Sequence, residues 1–324
     1  MMTAGALVAT GAVALTPLLT PIALLLVLRM LLGVGEGLYF VGAATIINDL
    51  APPRRRAEAA SYFSVAVFGG LGIGPVLGEL LASGARYTQA FLLAAMFTML
   101  AAAISRTLPA AVGAPPVVVA DAAPIPLLHQ AGLRTGIVLA MAMLGYTGFM
   151  AFLPLRAEEV GVDNAGGIFL LYSVLVLLLR LFGARVPERI GLARSAASAL
   201  CAIGTGLVVL AALDSLAGLL AGTVVLGIGI SLLYPSLMAI TVNSVPDAER
   251  AAVVATFTMF FEVGGAVGGL LLGPIADSAG YQGAFLAGGL IALAGLPMLY
   301  RGVVLPRRAG SPASVGDAQA TAAA

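Results

Sequence analysis

The sequence has no lysine, one cysteine, one histidine and few charges of either sign. Cys201 alone rules out an intrachain disulfide. His129, the single histidine, sits in a proline-rich stretch and leaves a Ser-His-Asp arrangement without a base. No cluster of residues has the spacing of a zinc or haem site, so no metal and no cofactor is expected. An intramembrane enzyme would need a nucleophile or metal cluster that the sequence lacks. Charged residues make up only 10% of the chain, against about 25% in soluble domains. The net charge of +1 carries no signal for nucleic acid, and none is expected as a partner.

What fills the chain is apolar. Sixty per cent of the 324 residues are hydrophobic, and the mean hydropathy is +1.07. A soluble core cannot absorb that much apolar surface, so most of the chain must face lipid or other spanning helices. The first twenty residues lack the positive start of a signal peptide and run straight into a second apolar segment, so they read as a short span. We count about ten segments of the length that a bilayer requires: 4–19, 22–47, 58–82, 89–106, 134–155, 165–184, 195–213, 216–242, 252–275 and 281–302. The stretch 107–132 carries five prolines (Pro109, Pro115, Pro116, Pro124 and Pro126) and reads as a linker. The tail 305–324 is small, polar and alanine-rich, and is expected to be disordered.

Arginine placement sets the orientation. Alternate connections collect Arg54, Arg55, Arg56, Arg106, Arg134, Arg185, Arg189, Arg194, Arg250, Arg301, Arg307 and Arg308 on one side, and only Arg86 and Arg156 on the other. The arginine-rich side is the cytoplasmic one, and both termini fall on it.

The chain also repeats itself. At a constant offset of 194, Gly33 falls on Gly227, Gly35 on Gly229, Pro52 on Pro246, Arg56 on Arg250 and Phe63 on Phe257. Gly70 and Gly74 fall on Gly264 and Gly268, and Tyr87 and Phe91 on Tyr281 and Phe285. Internal duplication in a many-span chain points to a transporter. The same offset maps the span 195–213 onto 1–19, so the first unit starts at its third helix. The domain reading is an incomplete bundle at 1–106, a cytoplasmic linker at 107–132, a six-helix bundle at 133–304 and the tail.

Several motifs fit one family. Arg29-x3-Gly33-x-Gly35, Gly70-x3-Gly74-Pro75-x2-Gly78, and Gly183 with Arg189, Gly191 and Arg194 stand in corresponding places. The chain resembles a transporter of the major facilitator superfamily, of the bacterial drug or sugar efflux type, lacking helices one and two. Glu79 stands where a second glycine is usual in the antiporter-type motif, and Glu188 where the basic loop has aspartate. The resemblance implies an all-α membrane protein of two pseudo-symmetric bundles, with about 4 + 6 helices here. It also implies a monomer in the inner membrane and alternating access with proton exchange for a small organic molecule. A second hypothesis is a non-transporting remnant of such a protein.

Candidate functional residues follow. Arg29, borrowed from the family motif, is expected to act in proton transfer. Glu36 shares its helix face seven residues on, roughly 10 Å deeper, and a carboxyl there suits proton loading. Glu262 lies near the middle of its span, and its repeat counterpart is Phe68, so the duplication does not demand it. Structural hydrogen bonding is the competing reading for both carboxyls. Tyr39, Tyr146, Phe149, Tyr172 and Tyr234 could stack on a flat substrate, or simply pack. Arg180 reads as a gating or anchoring residue. Gly33, Gly35, Gly70, Gly74, Pro75, Gly78, Gly183, Arg189, Gly191 and Arg194 read as gating and packing positions.

Overall fold

The computed structural model describes residues 1–50, 52, 63, 66–67, 69–70, 73–78, 80–81, 87–108, 128–183, 186–246 and 249–304. The basic turn at Arg54, Arg55 and Arg56, together with Glu79, Arg86, Arg185, the linker prolines and the tail, lies outside the described residues. All regular structure among the described residues is helical. In hydrocarbon the backbone must satisfy its own polar groups, and a helix does so within one segment.

The chain divides into two compact units, Met1–Ala122 and Ala123–Ala324. In the first, α1 (Met2–Leu15), a 3₁₀ turn (Thr16–Leu18), α2 (Ile22–Leu50) and α3 (Tyr87–Ser105) are described. Helical residues at 63, 66–67, 69–70, 73–78 and 80–81 lie between α2 and α3. Thr10 Oγ1 donates to Thr98 Oγ1 at 2.9 Å, and the Thr3 and Ser105 hydroxyls are 2.8 Å apart, so two polar rungs join α1 to α3.

The second unit contains α4 (Gln130–Glu159), α5 (Gly166–Phe182), the short α6 (Val186–Ile190), α7 (Leu192–Ala212), α8 (Leu216–Val242) and α9 (Arg250–Leu299). Gly280, at φ 71° and ψ 177°, breaks α9 into arms at 250–279 and 281–299. Both arms are long enough to cross a bilayer. α4 begins four residues earlier than the expected span at 134–155, because His129 caps it. His129 Nδ1 accepts from the Ala131 N–H at 3.2 Å, and the His129 N–H donates to Thr256 Oγ1 at 3.0 Å. Ser215 caps α8 by accepting from the Gly218 N–H at 3.1 Å.

Small residues set the helix spacing. A Cβ at Gly264 would lie 2.5 Å from the Ala140 carbonyl oxygen, and one at Gly268 would lie 2.8 Å from that of Leu144. These two glycines therefore seat the first arm of α9 on α4. Gly35 seats α2 on α1, where a Cβ would lie 2.6 Å from the Gly5 oxygen and 2.7 Å from the Ala9 nitrogen. Gly229 repeats that contact between α8 and α7, at 2.6 Å from the Ala199 oxygen and 2.8 Å from the Ile203 nitrogen. Ala199 and Ile203 are Gly5 and Ala9 shifted by 194, so the duplication holds at the level of packing. Close backbone approach through small residues is the main way helices gain contact in lipid.

Candidate substrate site

α4 carries Tyr146, Phe149 and Phe152 at three-residue spacing, and α5 carries Phe169 and Tyr172, so that the Tyr146–Phe149 and Phe169–Tyr172 pairs run in opposite order. Residues three apart share a helix face. The antiparallel pairing brings Tyr to Tyr and Phe to Phe. Tyr146 and Tyr172 have ring centroids 6.1 Å apart, Phe149 and Phe169 6.0 Å, and Phe149 and Tyr172 5.3 Å. The Tyr172 hydroxyl donates to the Tyr146 oxygen at 3.1 Å. Phe149 is fully buried, and Phe169 and Tyr172 nearly so. Gly227 of α8 leaves room for this cluster, since a Cβ there would come within 3.5 Å of the Tyr172 ring.

Tyr234 extends the aromatic surface. Its ring lies 5.5 Å from Phe257 and 6.4 Å from Phe261, both on α9. Arg180 lies in the last turn of α5 and is half-buried, with an interaction partner of its own. Of the five aromatics expected to line a cavity, the structure brings together Tyr146, Phe149 and Tyr172, while Tyr234 packs against Phe257 and Phe261. Tyr39 belongs to the first unit, where it is half-buried on α2.

The expected proton-handling residues lie on α9 and α2. Glu262 is exposed on α9, next to Phe261 and two residues before the Gly264 seam. In the first unit, Arg29 and Glu36 are both exposed on α2, and Glu36 has a polar partner.

The motif glycines also differ in their surroundings. Cβ atoms at Gly33, Gly70, Gly74 or Gly78 would meet nothing within 4 Å among the described residues, and Pro75 beside them is half-buried. Gly183 terminates α5, its N–H donating to the Leu179 oxygen at 2.8 Å. Gly191 adopts φ 91°, a left-handed conformation that favours glycine, and leads into α7. Arg189 and Arg194 on either side of it are exposed.

A polar cluster at the opposite end of the second unit was not foreseen. Arg156, only 3% exposed, donates from Nη1 to Glu159 Oε2 at 3.0 Å and from Nη2 to Asp214 Oδ1. Gln282 Nε2 donates to the same Asp214 oxygen at 2.9 Å. These residues, with Val160, Gly280 and Tyr281, line a cavity of about 420 Å³. The hydrogen bond from Arg156, then its charge, holds the Asp214 carboxyl below the usual carboxylate range. One signal was available: Arg156 is an arginine on the arginine-poor side, placed among acids. Among the described residues no group of three or more His, Cys, Asp or Glu could hold a metal ion.

A bundle of apolar helices with an aromatic and arginine interior defines a polytopic membrane protein. Similarity to known proteins narrows the class. The model for the Major Facilitator Superfamily matches residues 1–128 and 135–323, and the chain belongs to that family. It is 30% identical over 281 residues to the uncharacterized MFS-type transporter STM4428 of Salmonella typhimurium (strain LT2), covering 86% of this chain and 71% of that protein. It is 27% identical over 287 residues to the uncharacterized MFS-type transporter BMASAVP1_A0869 of Burkholderia mallei (strain SAVP1), covering 86% of this chain and 67% of that one. The crystal structure of a POT family transporter in complex with a thioalcohol-conjugated peptide superposes with a TM-score of 0.73 at 15% identity, over 96% of this chain and 82% of that chain. The chain is thus a multi-pass membrane protein of a transporter family with the all-α fold of that family.

Proposed function

We propose that the chain acts as a secondary active exporter, moving a small organic molecule (drug-like or sugar-like) out of the cell in exchange for protons by alternating access. In this reading it sits in the inner membrane as a monomer, with both termini in the cytoplasm. The observation that carries it is Glu262. It is the single ionisable side chain between Arg250 and Asp277, and it is exposed on the helix surface. A charge near a helix centre in lipid costs about 2.5–3.5 kcal/mol. A carboxyl there is best explained by contact with water or substrate and by the loading and release of protons. Glu36, exposed in the same manner on α2, is the second candidate. The aromatic cluster of α4 and α5 supplies a surface on which a flat molecule can stack.

The test is proton flux in proteoliposomes with an entrapped pH-sensitive dye, driven by a panel of candidate substrates. The expected result is substrate-dependent proton movement that Glu262→Gln or Glu36→Gln abolishes without loss of membrane insertion. Proton movement unchanged in both variants would overturn the assignment of the carboxylates.

A further inference from the structure

His129, the single histidine of the chain, stands where the proline-rich stretch runs into α4. Three hydrogen bonds fix it there. Its N–H donates to Thr256 Oγ1 at 3.0 Å, its Nδ1 accepts from the Ala131 N–H at 3.2 Å, and its Nε2 lies 3.0 Å from Glu249 Oε2. A nitrogen that accepts carries no proton, so the ring proton sits on Nε2 and is donated to Glu249. The helix start is closely seated as well. A Cβ at Gly132 would lie 2.7 Å from the Val253 carbonyl oxygen and 2.8 Å from Thr256 Cβ. One imidazole therefore caps α4 through Nδ1 and ties it to the start of α9 through Nε2.

That cap has a property which Ser215, the cap of α8, lacks. Histidine is the side chain whose ordinary titration falls between pH 5 and 8, and in the imidazolium both ring nitrogens are donors. No rotation of a protonated ring offers the Ala131 N–H an acceptor. Protonation also sets a positive charge at a helix N-terminus, where the dipole opposes it. It strengthens the pair with Glu249, but that carboxylate is half-exposed, and exposed pairs contribute little. The other charges at this end are Arg134 on α4, Arg250 at the start of α9 and Arg301 beyond its second arm, all exposed. α8, joined to α4 by the Thr135 and Thr241 hydroxyls 2.6 Å apart, carries no charged residue, and Asp247 lies outside the described residues. From this arrangement we propose that His129 is an acid-sensitive cap, whose protonation loosens the first turn of α4 and so regulates the arginine-rich end of the second unit. In the orientation proposed above that end faces the cytoplasm. A permanent structural cap, the competing role, would hold α4 equally at every pH.

Two measurements on the full chain in lipid nanodiscs separate the roles. With one histidine in the chain, NMR of carbon-13-labelled imidazole follows the ionisation of His129 alone. Amide hydrogen exchange, corrected for its intrinsic pH dependence, reports protection at residues 131–136 from pH 8 to pH 5. Protection there is expected to fall about fivefold in step with the imidazole titration, the usual effect of losing one cap. The start of α8, capped by Ser215, should show no such step. His129→Asn keeps a cap acceptor that does not titrate, so it should hold protection level across the range. Glu249→Gln keeps the cap and should retain the step. Titration of the imidazole without a change in protection, or no titration between pH 8 and pH 5, overturns the proposal on the wild-type chain alone. An equal fall at the start of α8 or in His129→Asn, or loss of the step in Glu249→Gln, overturns the cap as its cause.

Discussion

Gly35 and Gly229 make one and the same contact in the two halves of the chain. A Cβ on either would lie 2.6 Å from a carbonyl oxygen, that of Gly5 in one case and Ala199 in the other. Neither neighbouring helix can yield at backbone, so Gly35→Val and Gly229→Val should each lower stability, by about 1–3 kcal/mol. Gly37→Ala is the control, since a Cβ there meets nothing within 4 Å among the described residues. Alanine is the better helix former, so that variant should be neutral or slightly more stable. Thermal unfolding of the purified chain in detergent measures all three.

Asp214 links three separate segments by accepting from Arg156 and Gln282. Its folded-state carboxyl titrates below its unfolded one, because Arg156 donates to it and is charged. The stability it contributes is therefore present above the ordinary aspartate pKa and is lost as pH falls through the lower, folded value. Asp214→Asn should lower the melting temperature at pH 7, and the gap to wild type should begin to narrow as pH falls below about 4 and close below the folded value. A gap that does not narrow at all between pH 7 and pH 3 would mean that the carboxylate charge is not what holds the segments. Arg156→Met should cost more, about 1–3 kcal/mol, because it leaves Glu159 and Asp214 facing one another without the cation.

The span pattern was legible because hydropathy, arginine placement and the 194-residue offset all constrain the same boundaries. The aromatic cluster was legible only in part. Tyr146, Phe149 and Tyr172 stand out as rings inside apolar helices, but Phe169 carries no such mark, and only the pairing of α4 with α5 makes it the partner of Phe149. The glycines show the limit most clearly. Gly33 and Gly227 are the same position in the repeat, yet Gly227 meets Tyr172 and Leu175 while Gly33 meets nothing within 4 Å among the described residues. Periodicity states which face a glycine occupies and cannot state what stands opposite. Arg156 was read for topology alone, since its partners lie at the ends of other helices and hold no fixed spacing to it.

Tyr172 and Phe149 separate the polar from the apolar share of the cluster. Tyr172→Phe removes the hydrogen bond to Tyr146 and keeps the ring, so it should cost about 0.5–1.5 kcal/mol. Phe149→Ala empties a fully buried position between Tyr172 and Phe169, and should cost about 3–5 kcal/mol. Denaturation of the two variants side by side gives the order. A Tyr172→Phe loss equal to that of Phe149→Ala would mean that the hydroxyl pair, and not the ring packing, organises the site.

Gly280 decides where the last two spans separate. Its φ of 71° and ψ of 177° lie in a region that essentially only glycine occupies. A Cβ there meets nothing within 4 Å, so any cost of Gly280→Ala comes from the backbone and not from crowding. The expected loss is about 1–3 kcal/mol. Gly280 also lines the cavity beside Gln282, whose amide donates to Asp214. If the turn relaxes toward continuous helix, Gln282 rotates away from Asp214, and the acid sensitivity described for Asp214 should diminish in the same variant. Measuring the melting temperature of Gly280→Ala at pH 7 and at pH 3 tests both effects. A stability loss with undiminished acid sensitivity would show that the Arg156–Asp214 pair holds without the turn.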